Sequence, residues 1–364
     1  MNELIGLRVG LVGPLPPPAG GMANQARQLA ELLDPVCQTV AFVQTNAPYP
    51  ARWMERLPVV RAGFRLLPYL WKLWRTAGEV DVLHIMANSG WSWHLFAAPA
   101  IWIAWLRRVP VIVNYRGGEA ADFLQKAQRI VQCSMSRVAV LAVPSGFLQA
   151  VFGRFGMSAT VLPNIIDLTR FSPRGGRDPM SAHVIVARNL EPLYDNTSAI
   201  RAFQQVQQLL PHARLTIAGS GPEAASLQAL VTALGLEKCV TFTGRLDRDA
   251  MAALFRDADV MLNPSLADNM PNSVLEAMAS GVPVVSTNVG GVPYLVEDGK
   301  TALLVPPSDP AALASATLRL LQDEQLWTAL QQAGLAQVQR YTWANVAPVL
   351  GRLYRQAQGK AKKN

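Results

Sequence analysis

Two carboxylates with a spacing suited to a polyhydroxylated ligand lie in residues 263–281. This segment follows an apolar run, passes through a polar loop and enters a predicted helix near Asn272 or Ser273. Because seven residues separate Asp268 from Glu276, we expect Asp268 in the loop and Glu276 one turn into the helix. A loop carboxylate can accept hydrogen bonds from sugar hydroxyls, and a carboxylate within the helix can bind both hydroxyls of a ribose.

The start of that helix is a candidate anion site. The first N–H groups of a helix have no partner within the helix, and its dipole is positive there, so a diphosphate fits. The residues that would surround the diphosphate are Asn269, Met270, Pro271, Asn272, Ser273 and Val274. Ser273 and Glu276 also match a capping box, in which the glutamate only accepts a backbone N–H. The pattern alone leaves both interpretations open.

Glycines and one arginine follow other predicted strands. Gly20 and Gly21 follow the first strand, where a backbone without side chains allows close approach of a ligand, although an ordinary turn fits equally well. Arg188 follows the first strand of the second half of the chain. Its guanidinium can neutralise a phosphate, and the alternative is an exposed arginine at a strand end.

Two acidic motifs resemble metal or phosphate sites without fitting them. Asp257 closes a predicted helix and Asp259 opens a strand, whereas a metal-binding pair in this architecture should follow a strand. In residues 298–301 an Asp-Gly-Lys-Thr sequence lacks the glycine that a P-loop requires, because Tyr294 occupies that position. The cysteines and histidines have no metal-ligand spacing. The sequence therefore predicts no metal site.

The elements that position these residues alternate between strands and helices, which predicts parallel sheets covered by helices. The predicted strands span residues 8–13, 80–86, 109–114 and 138–144, and then 183–187, 214–218, 240–243, 260–263, 283–287 and 302–305. A length of 364 residues exceeds one core. We therefore predict an α/β protein with two doubly wound, Rossmann-like domains that face a central cleft.

The predicted domains are residues 1–170 and residues 171–342. A Pro/Gly/Arg-rich stretch at residues 172–179 is the expected linker. A last helix within residues 343–364 is expected to pack back on the first domain.

Composition excludes several classes of protein. With 50% hydrophobic and 16% charged residues, the chain is neither disordered nor fibrous. No apolar run reaches the roughly 18–20 residues of a membrane-spanning helix, and the N-terminus does not resemble a secretory signal. Three widely spaced cysteines form no disulfide framework. We therefore expect a cytoplasmic protein.

A net charge of +8 suggests an anionic partner. The cations form no recognisable nucleic-acid module, so nucleic acid is not the predicted partner. Residues 52–75 instead interleave cations with Trp53, Trp71 and Trp74, as in segments that lie on anionic bilayers. The alternative is an ordinary solvated helix. We favour peripheral attachment to the inner face of the cytoplasmic membrane.

Taken together, these motifs resemble those of a known enzyme family over nearly the whole chain. The matching segments are the Gly-Gly loop, residues 163–167 with Phe171, residues 188–190, 218–222, 243–244 and 268–281, and Gly290-Gly291 before residues 298–299. The chain resembles the retaining nucleotide-sugar glycosyltransferases with the GT-B fold, specifically glycosyltransferase family 4 or group 1. The acidic pair carries most of this resemblance.

The resemblance implies a role for each residue. Glu276 would hold the donor ribose, and Asp268 would contact the transferred sugar. Main-chain amides near Ser273, together with Arg188, would stabilise the departing diphosphate without a metal or other cofactor. Gly219 would also line the donor site. The second domain would bind the donor, and the first would be on the acceptor side. The donor would be a nucleoside diphosphate-sugar, and the acceptor a glycan or a lipid-linked glycan of bacterial cell-surface polysaccharide or glycolipid synthesis.

Three positions depart from the family. The family usually has a lysine about five or six residues after the position of Arg188, but here Leu193, Tyr194 and Asp195 occupy that stretch. Arg116 stands where a histidine is common; it cannot act as a base but can supply the missing charge. Asp268 replaces the more frequent glutamate. We therefore predict that Arg116, Arg188 and Asp268 take part in catalysis.

Two alternatives remain open on this sequence. A nucleotide-sugar epimerase of the same fold would retain the nucleotide site without an acceptor site. A catalytically silent scaffold would bind the nucleotide sugar and transfer nothing. Transfer to an added acceptor distinguishes the transferase from both.

Overall fold

A computed structural model describes residues 3–17, 20–48, 61–173 and 182–361 of the protein. The chain divides into two units, Met1–Ile165 with Trp343–Asn364, and Ile166–Thr342. Each unit contains one six-stranded sheet, and the paired strands are parallel. The predicted α/β class with two doubly wound sheets is confirmed.

The first unit has the strand order β2-β1-β3-β4-β5-β6. Its strands are β1 (Arg8–Gly13), β2 (Thr39–Gln44), β3 (Val82–Ala87), β4 (Val111–Tyr115), β5 (Val140–Val143) and β6 (Thr160–Val161). Its first five helices are α1 (Gly21–Leu33), α2 (Arg61–Ala77), α3 (Ala98–Leu106), α4 (Ala120–Met135) and α5 (Gly146–Arg154). A π-helical segment, Trp93–Ala97, precedes α3.

Both faces of this sheet are buried, which explains its continuous apolar strands. In β4, Val111 and Val113 pack in one core while Ile112, between them, packs in the other. Successive side chains of a strand point to opposite faces, so a strand covered on both sides needs apolar residues at every position. The sequence of β4 meets that requirement.

The second unit has the strand order β12-β11-β10-β7-β8-β9. Its strands are β7 (His183–Ala187), β8 (Arg214–Ala218), β9 (Val240–Gly244), β10 (Val260–Asn263), β11 (Val284–Thr287) and β12 (Leu303–Val305). Its helices are α6 (Asn196–Leu209), α7 (Ala224–Ala233), α8 (Arg248–Asp257), α9 (Asn272–Ala279), α10 (Val292–Leu295), α11 (Pro310–Gln322) and α12 (Glu324–Val338). Each predicted strand of this half is present.

The first domain was predicted to end at residue 170, but the first unit ends at Ile165. The Ile166 N–H donates to the carbonyl of Tyr341 at 2.9 Å, and Ile166 also pairs with Thr342 in a parallel bridge. Phe171 is buried with its ring centroid 6.0 Å from that of Phe255. Residues 166–170 therefore belong to the second unit, because their apolar side chains complete its core. Of the expected linker, residues 174–179 lie outside the described residues.

The last helix, α13 (Trp343–Ala361), belongs to the first unit. Val346, Leu350 and Tyr354 are buried in the core on one face of the first sheet. The hydroxyl of Tyr354 lies 3.1 Å from Nδ1 of the buried His84 in β3. The second unit is thus inserted between β6 and α13.

The sequence did not indicate β2 or β6. Only Val43 is fully buried in β2, because this strand lies at the edge of the sheet and is partly exposed. Strand β6 contains two residues, which is too short for a periodic pattern. In the described part of the chain, no helix combines the length and apolar character needed to cross a bilayer.

Candidate active site

Arg188 lies at the carboxyl edge of the second sheet, directly after β7. Its Nη2 donates to Oγ of Ser265 at 2.8 Å and also contacts Oδ2 of Asp268 in an ion pair. Its Nη1 lies 3.5 Å from Oγ of Ser273 in the first turn of α9. The structure therefore brings together Arg188, Asp268 and the start of α9, as predicted from the sequence.

A buried polar network holds the loop after β10 in place. Nδ2 of Asn263 donates to Oγ of Ser286 at 2.9 Å, and the Ser265 hydroxyl donates to Oδ1 of Asn263 at 3.1 Å. The Thr287 hydroxyl donates to the carbonyl oxygen of Ser265 at 2.5 Å. Because buried polar groups are costly when unpaired, this network fixes the position of Ser265 beneath Arg188.

Two glycines allow the backbone of site residues to pack closely against neighbouring segments. A Cβ on Gly219 would collide with the carbonyl of Arg188, and a Cβ on Gly291 would collide with that of Asn269. The Gly291 N–H donates to the carbonyl of Asp268 at 2.8 Å. Gly219, which was predicted to line the donor site, packs against the backbone of Arg188.

The observed start of α9 is incompatible with a capping box formed by Ser273 and Glu276. The helix begins at Asn272 with Pro271 at the N-cap, and no side chain caps it. Ser273 lies inside the helix, so it cannot serve as the N-cap residue that a capping box requires. Met270 and Val274 are buried and anchor the loop and the helix. Glu276 is therefore free of the capping role that the sequence left open.

Burial raises the pKa of Glu276 to about 7. The guanidinium groups of Arg248 and Arg188 oppose this shift, because a nearby positive charge favours the carboxylate. Arg248 is the first residue of α8, and sequence analysis did not select it. No local pattern could have done so, because it approaches Glu276 only through the packing of α8 against α9.

Tyr194 lies in the stretch where the resemblance predicts a lysine. The guanidinium carbon of Arg188 lies 4.3 Å from the centre of its ring, a cation–π contact. Burial lowers the pKa of Arg188 to about 10. Arg188 therefore stays positively charged at neutral pH, and the aromatic face of Tyr194 covers its guanidinium.

Gly20, Gly21 and Arg116 lie in the first unit. Gly20 is the N-cap of α1 with an extended backbone, and a Cβ there would meet nothing within 4 Å. Arg116 follows β4, and its Nη1 donates to Oδ1 of Asn164. Burial lowers the pKa of Arg116 to about 10, so its guanidinium also stays charged at neutral pH.

The raised pKa of Glu276 predicts a stability change in Glu276→Gln. The folded protein holds this proton at a higher pH than the unfolded chain does, so the free energy of unfolding falls as pH rises from about 4.5 to 7. Glutamine does not titrate, so the variant does not lose stability in this pH range. At pH 8 we expect the free energy of unfolding of the variant to exceed that of the wild type by about 2–3 kcal/mol. At pH 5 the difference should be less than about 1 kcal/mol.

Urea unfolding at both pH values measures this difference. The matched control is Glu237→Gln, which changes an exposed glutamate outside the site. Equal stability of wild type and Glu276→Gln at pH 8 would show that Glu276 titrates normally.

Comparison with known proteins shows which family the second unit matches. Residues 184–323 match the family model described as "Glycosyl transferases group 1". The phosphatidyl-myo-inositol mannosyltransferase of Mycobacterium leprae is 27% identical over 96% of each chain. The second unit therefore carries the family's domain, and the similarity to this relative extends over the first unit.

Solved structures show the same fold. Sucrose-phosphate synthase from Thermosynechococcus elongatus aligns with a TM-score of 0.73 and 21% identity, over 96% of this chain and 98% of that one. Anabaena HepE in complex with UDP aligns with a TM-score of 0.74 and 18% identity, over 95% and 98%. Residues 184–323 thus match the group 1 glycosyltransferase family model, and the chain has the GT-B fold.

Proposed function

We propose that the protein is a retaining, metal-independent glycosyltransferase. It moves a sugar from a nucleoside diphosphate-sugar to a glycan or lipid-linked acceptor of bacterial cell-surface polysaccharide or glycolipid synthesis. The observation that carries this proposal is the position of Arg188 beside Asp268, at the start of α9. A buried cation and a helix N-terminus that meet at one point suit a diphosphate.

Each side chain of the site has a distinct task in this proposal. Arg188 and the first turn of α9 bind the diphosphate, and Glu276 accepts hydrogen bonds from the ribose. Asp268 gives up part of its ion pair with Arg188 and contacts the hydroxyls of the sugar. Because the guanidinium and the helix dipole already supply positive charge, the leaving group needs no metal ion.

Transfer with retention follows from attack on the same face as the leaving group. The acceptor oxygen forms a bond to the anomeric carbon while the bond from that carbon to the phosphate oxygen breaks. The departing phosphate takes the proton of the acceptor hydroxyl. Arg188 stabilises the negative charge that develops on the diphosphate.

Nucleotide protection tests the donor site. Thermal unfolding is measured with UDP, GDP, ADP, CMP and their sugar conjugates; UDP comes first because it is the ligand named for Anabaena HepE. A nucleotide at 100 times its Kd should stabilise the protein by about 2.7 kcal/mol and raise Tm by a few degrees. Glu276→Ala should abolish the protection, because it removes the ribose contact.

Glu237→Ala is the matched control and should retain full protection. Absence of protection by every nucleotide would contradict the proposal. Protection without sugar transfer to any added acceptor would instead favour an epimerase or a silent scaffold.

Arg116 is proposed to supply positive charge to the reaction. Replacing it with alanine should lower kcat by about 10–100-fold, the effect of losing a charged contact of about 1.5–3 kcal/mol. Arg201→Ala, which removes an exposed cation from α6, should change kcat less than about twofold. Steady-state kinetics with the protecting donor measures both.

Asn164→Ala removes the acceptor of the Arg116 hydrogen bond and leaves the charge of Arg116 in place. It therefore separates the effect of charge from that of positioning. Arg116→Lys should restore part of kcat if the charge matters. Equal kcat values for Arg116→Ala and Arg201→Ala would rule out a catalytic role.

The membrane proposal rests on the exposed face of α2. Tyr69 and Leu73 are buried, whereas Leu67 and Trp71 are 69% and 66% exposed. Trp74 is also exposed, and the Arg107 guanidinium lies 4.9 Å from the centre of its ring. Amphipathic helices of this kind bind anionic bilayers. Residues 52–60, the rest of the predicted membrane segment, lie outside the described residues.

Reversing two charges of α2 tests this surface. Lys72→Glu combined with Arg75→Glu should largely abolish co-sedimentation with phosphatidylglycerol vesicles, since each cation contributes about 1 kcal/mol. Arg201→Glu combined with Lys238→Glu makes the same change in net charge on the second unit and should leave binding unchanged. Equal co-sedimentation of both double variants would contradict a specific role of α2.

A further inference from the structure

The guanidinium of Arg188 has different partners at its edge and on its face. At the edge, Nε and Nη2 lie 3.2 Å and 2.8 Å from Oγ of Ser265, and Nη2 also contacts the Asp268 carboxylate. On the face, the guanidinium carbon lies 4.3 Å from the centre of the Tyr194 ring. The five N–H donors of an arginine lie in the plane of its guanidinium. The contact with Tyr194 therefore uses none of the donors that a phosphate needs.

Binding of a diphosphate would change the partners at the edge of this guanidinium. Asp268 holds Nη2 in an ion pair, so its carboxylate has to yield where a phosphate oxygen binds. The side chains of Arg188 and Asp268 are only 10% and 13% exposed. Because a cation at such a site is strongly unfavourable without a partner, an arginine that lost its carboxylate would turn toward water. A contact that persists during the exchange prevents this movement.

Tyr194 lies in a turn whose backbone is tied to the rest of the site. The segment Pro192–Tyr194 forms a 3₁₀ turn between β7 and α6. The carbonyl of Leu193 accepts the N–H of Leu266 at 2.8 Å, and Leu266 directly follows Ser265 in the sequence. The turn that carries the ring and the loop that carries the serine are therefore hydrogen-bonded to each other.

The residue after this turn is held in a left-handed conformation. Asp195 has a φ of +40°, which is unfavourable for a residue other than glycine. Its carboxylate caps α6, because it accepts the N–H of Ser198 at 3.2 Å and the Ser198 hydroxyl at 2.6 Å. These bonds offset the cost of the left-handed backbone. The position of Tyr194, directly before Asp195, is therefore fixed from both sides.

We propose that Tyr194 is a positioning residue that holds the Arg188 guanidinium in place while its partner changes from the Asp268 carboxylate to the diphosphate of the donor. The inference rests on the proposed glycosyltransferase function and adds a residue to its donor site. The attraction between a cation and the negative face of an aromatic ring is strongest where water is excluded. The contact on the face leaves the edge of the guanidinium to the phosphate oxygens. Tyr194 thus acts through Arg188 and does not need to touch the donor.

The nucleotide affinity of Tyr194 variants tests this role. Isothermal titration calorimetry on the full chain measures Kd for UDP, GDP and ADP. Tyr194→Leu keeps an apolar side chain but removes the aromatic face, so it should raise Kd by about 3–30-fold, the factor that corresponds to a cation–π contact. Tyr194→Phe keeps the face and should recover most of this affinity. Phe242→Leu, which removes a half-buried ring from β9 of the same unit, is the matched control and should leave Kd unchanged.

A double-mutant cycle with Arg188 shows whether Tyr194 acts through the guanidinium. In the Arg188→Ala background, titrated with millimolar nucleotide, Tyr194→Leu should raise Kd by less than about twofold further, because the group that it positions is gone. A further loss as large as in the wild-type background would overturn the proposal. Tyr194→Met repeats the cycle if urea unfolding shows that Tyr194→Leu is not folded.

The same titrations separate this inference from the proposed function. A wild type that binds none of the three nucleotides would overturn the proposed function itself. Equal Kd values for the wild type and Tyr194→Leu would overturn the positioning role alone. Equal losses in Tyr194→Leu and Tyr194→Phe would also overturn it, because they would assign the effect to the hydroxyl and not to the aromatic face.

Discussion

Burying the guanidinium of Arg188 at the edge of a parallel sheet requires acceptors and a negative charge close by, because an unpaired buried cation is strongly unfavourable. Ser265 and Asp268 meet this requirement, and the face of Tyr194 covers the guanidinium. Asn263 fixes Ser265, and Gly291 fixes Asp268. Much of the second unit's carboxyl edge is thus arranged around one positive charge.

Strong local patterns made most of the fold predictable. Buried strands such as β7 and β10 are uniformly apolar, and the spacing of Asp268 and Glu276 correctly placed one in a loop and one in a helix. Tertiary contacts were not predictable. The contact of Tyr194 with Arg188 and the charge of Arg248 beside Glu276 depend on how distant segments pack. The helix start was ambiguous because the serine–glutamate pattern also fits a cap.

Exposed tryptophans in the first unit lie in two chemically different settings. On α2 they lie among cations on a helix whose other face is buried. Trp91 instead meets the His94 ring edge-on, with 6.3 Å between the ring centroids. Exposure alone does not distinguish these sites, since single apolar residues at a surface are common. The charge of the neighbouring side chains makes the distinction.

The insertion of the second unit between β6 and α13 also constrains folding during synthesis. Ribosomes produce the chain from its N-terminus, and domains generally fold as they emerge. Every residue of Ile166–Thr342 emerges before α13, whose Val346 and Leu350 complete a core of the first unit. The unit made first therefore finishes folding last. Until α13 emerges, the part of that sheet face that Val346 and Leu350 cover stays exposed to solvent.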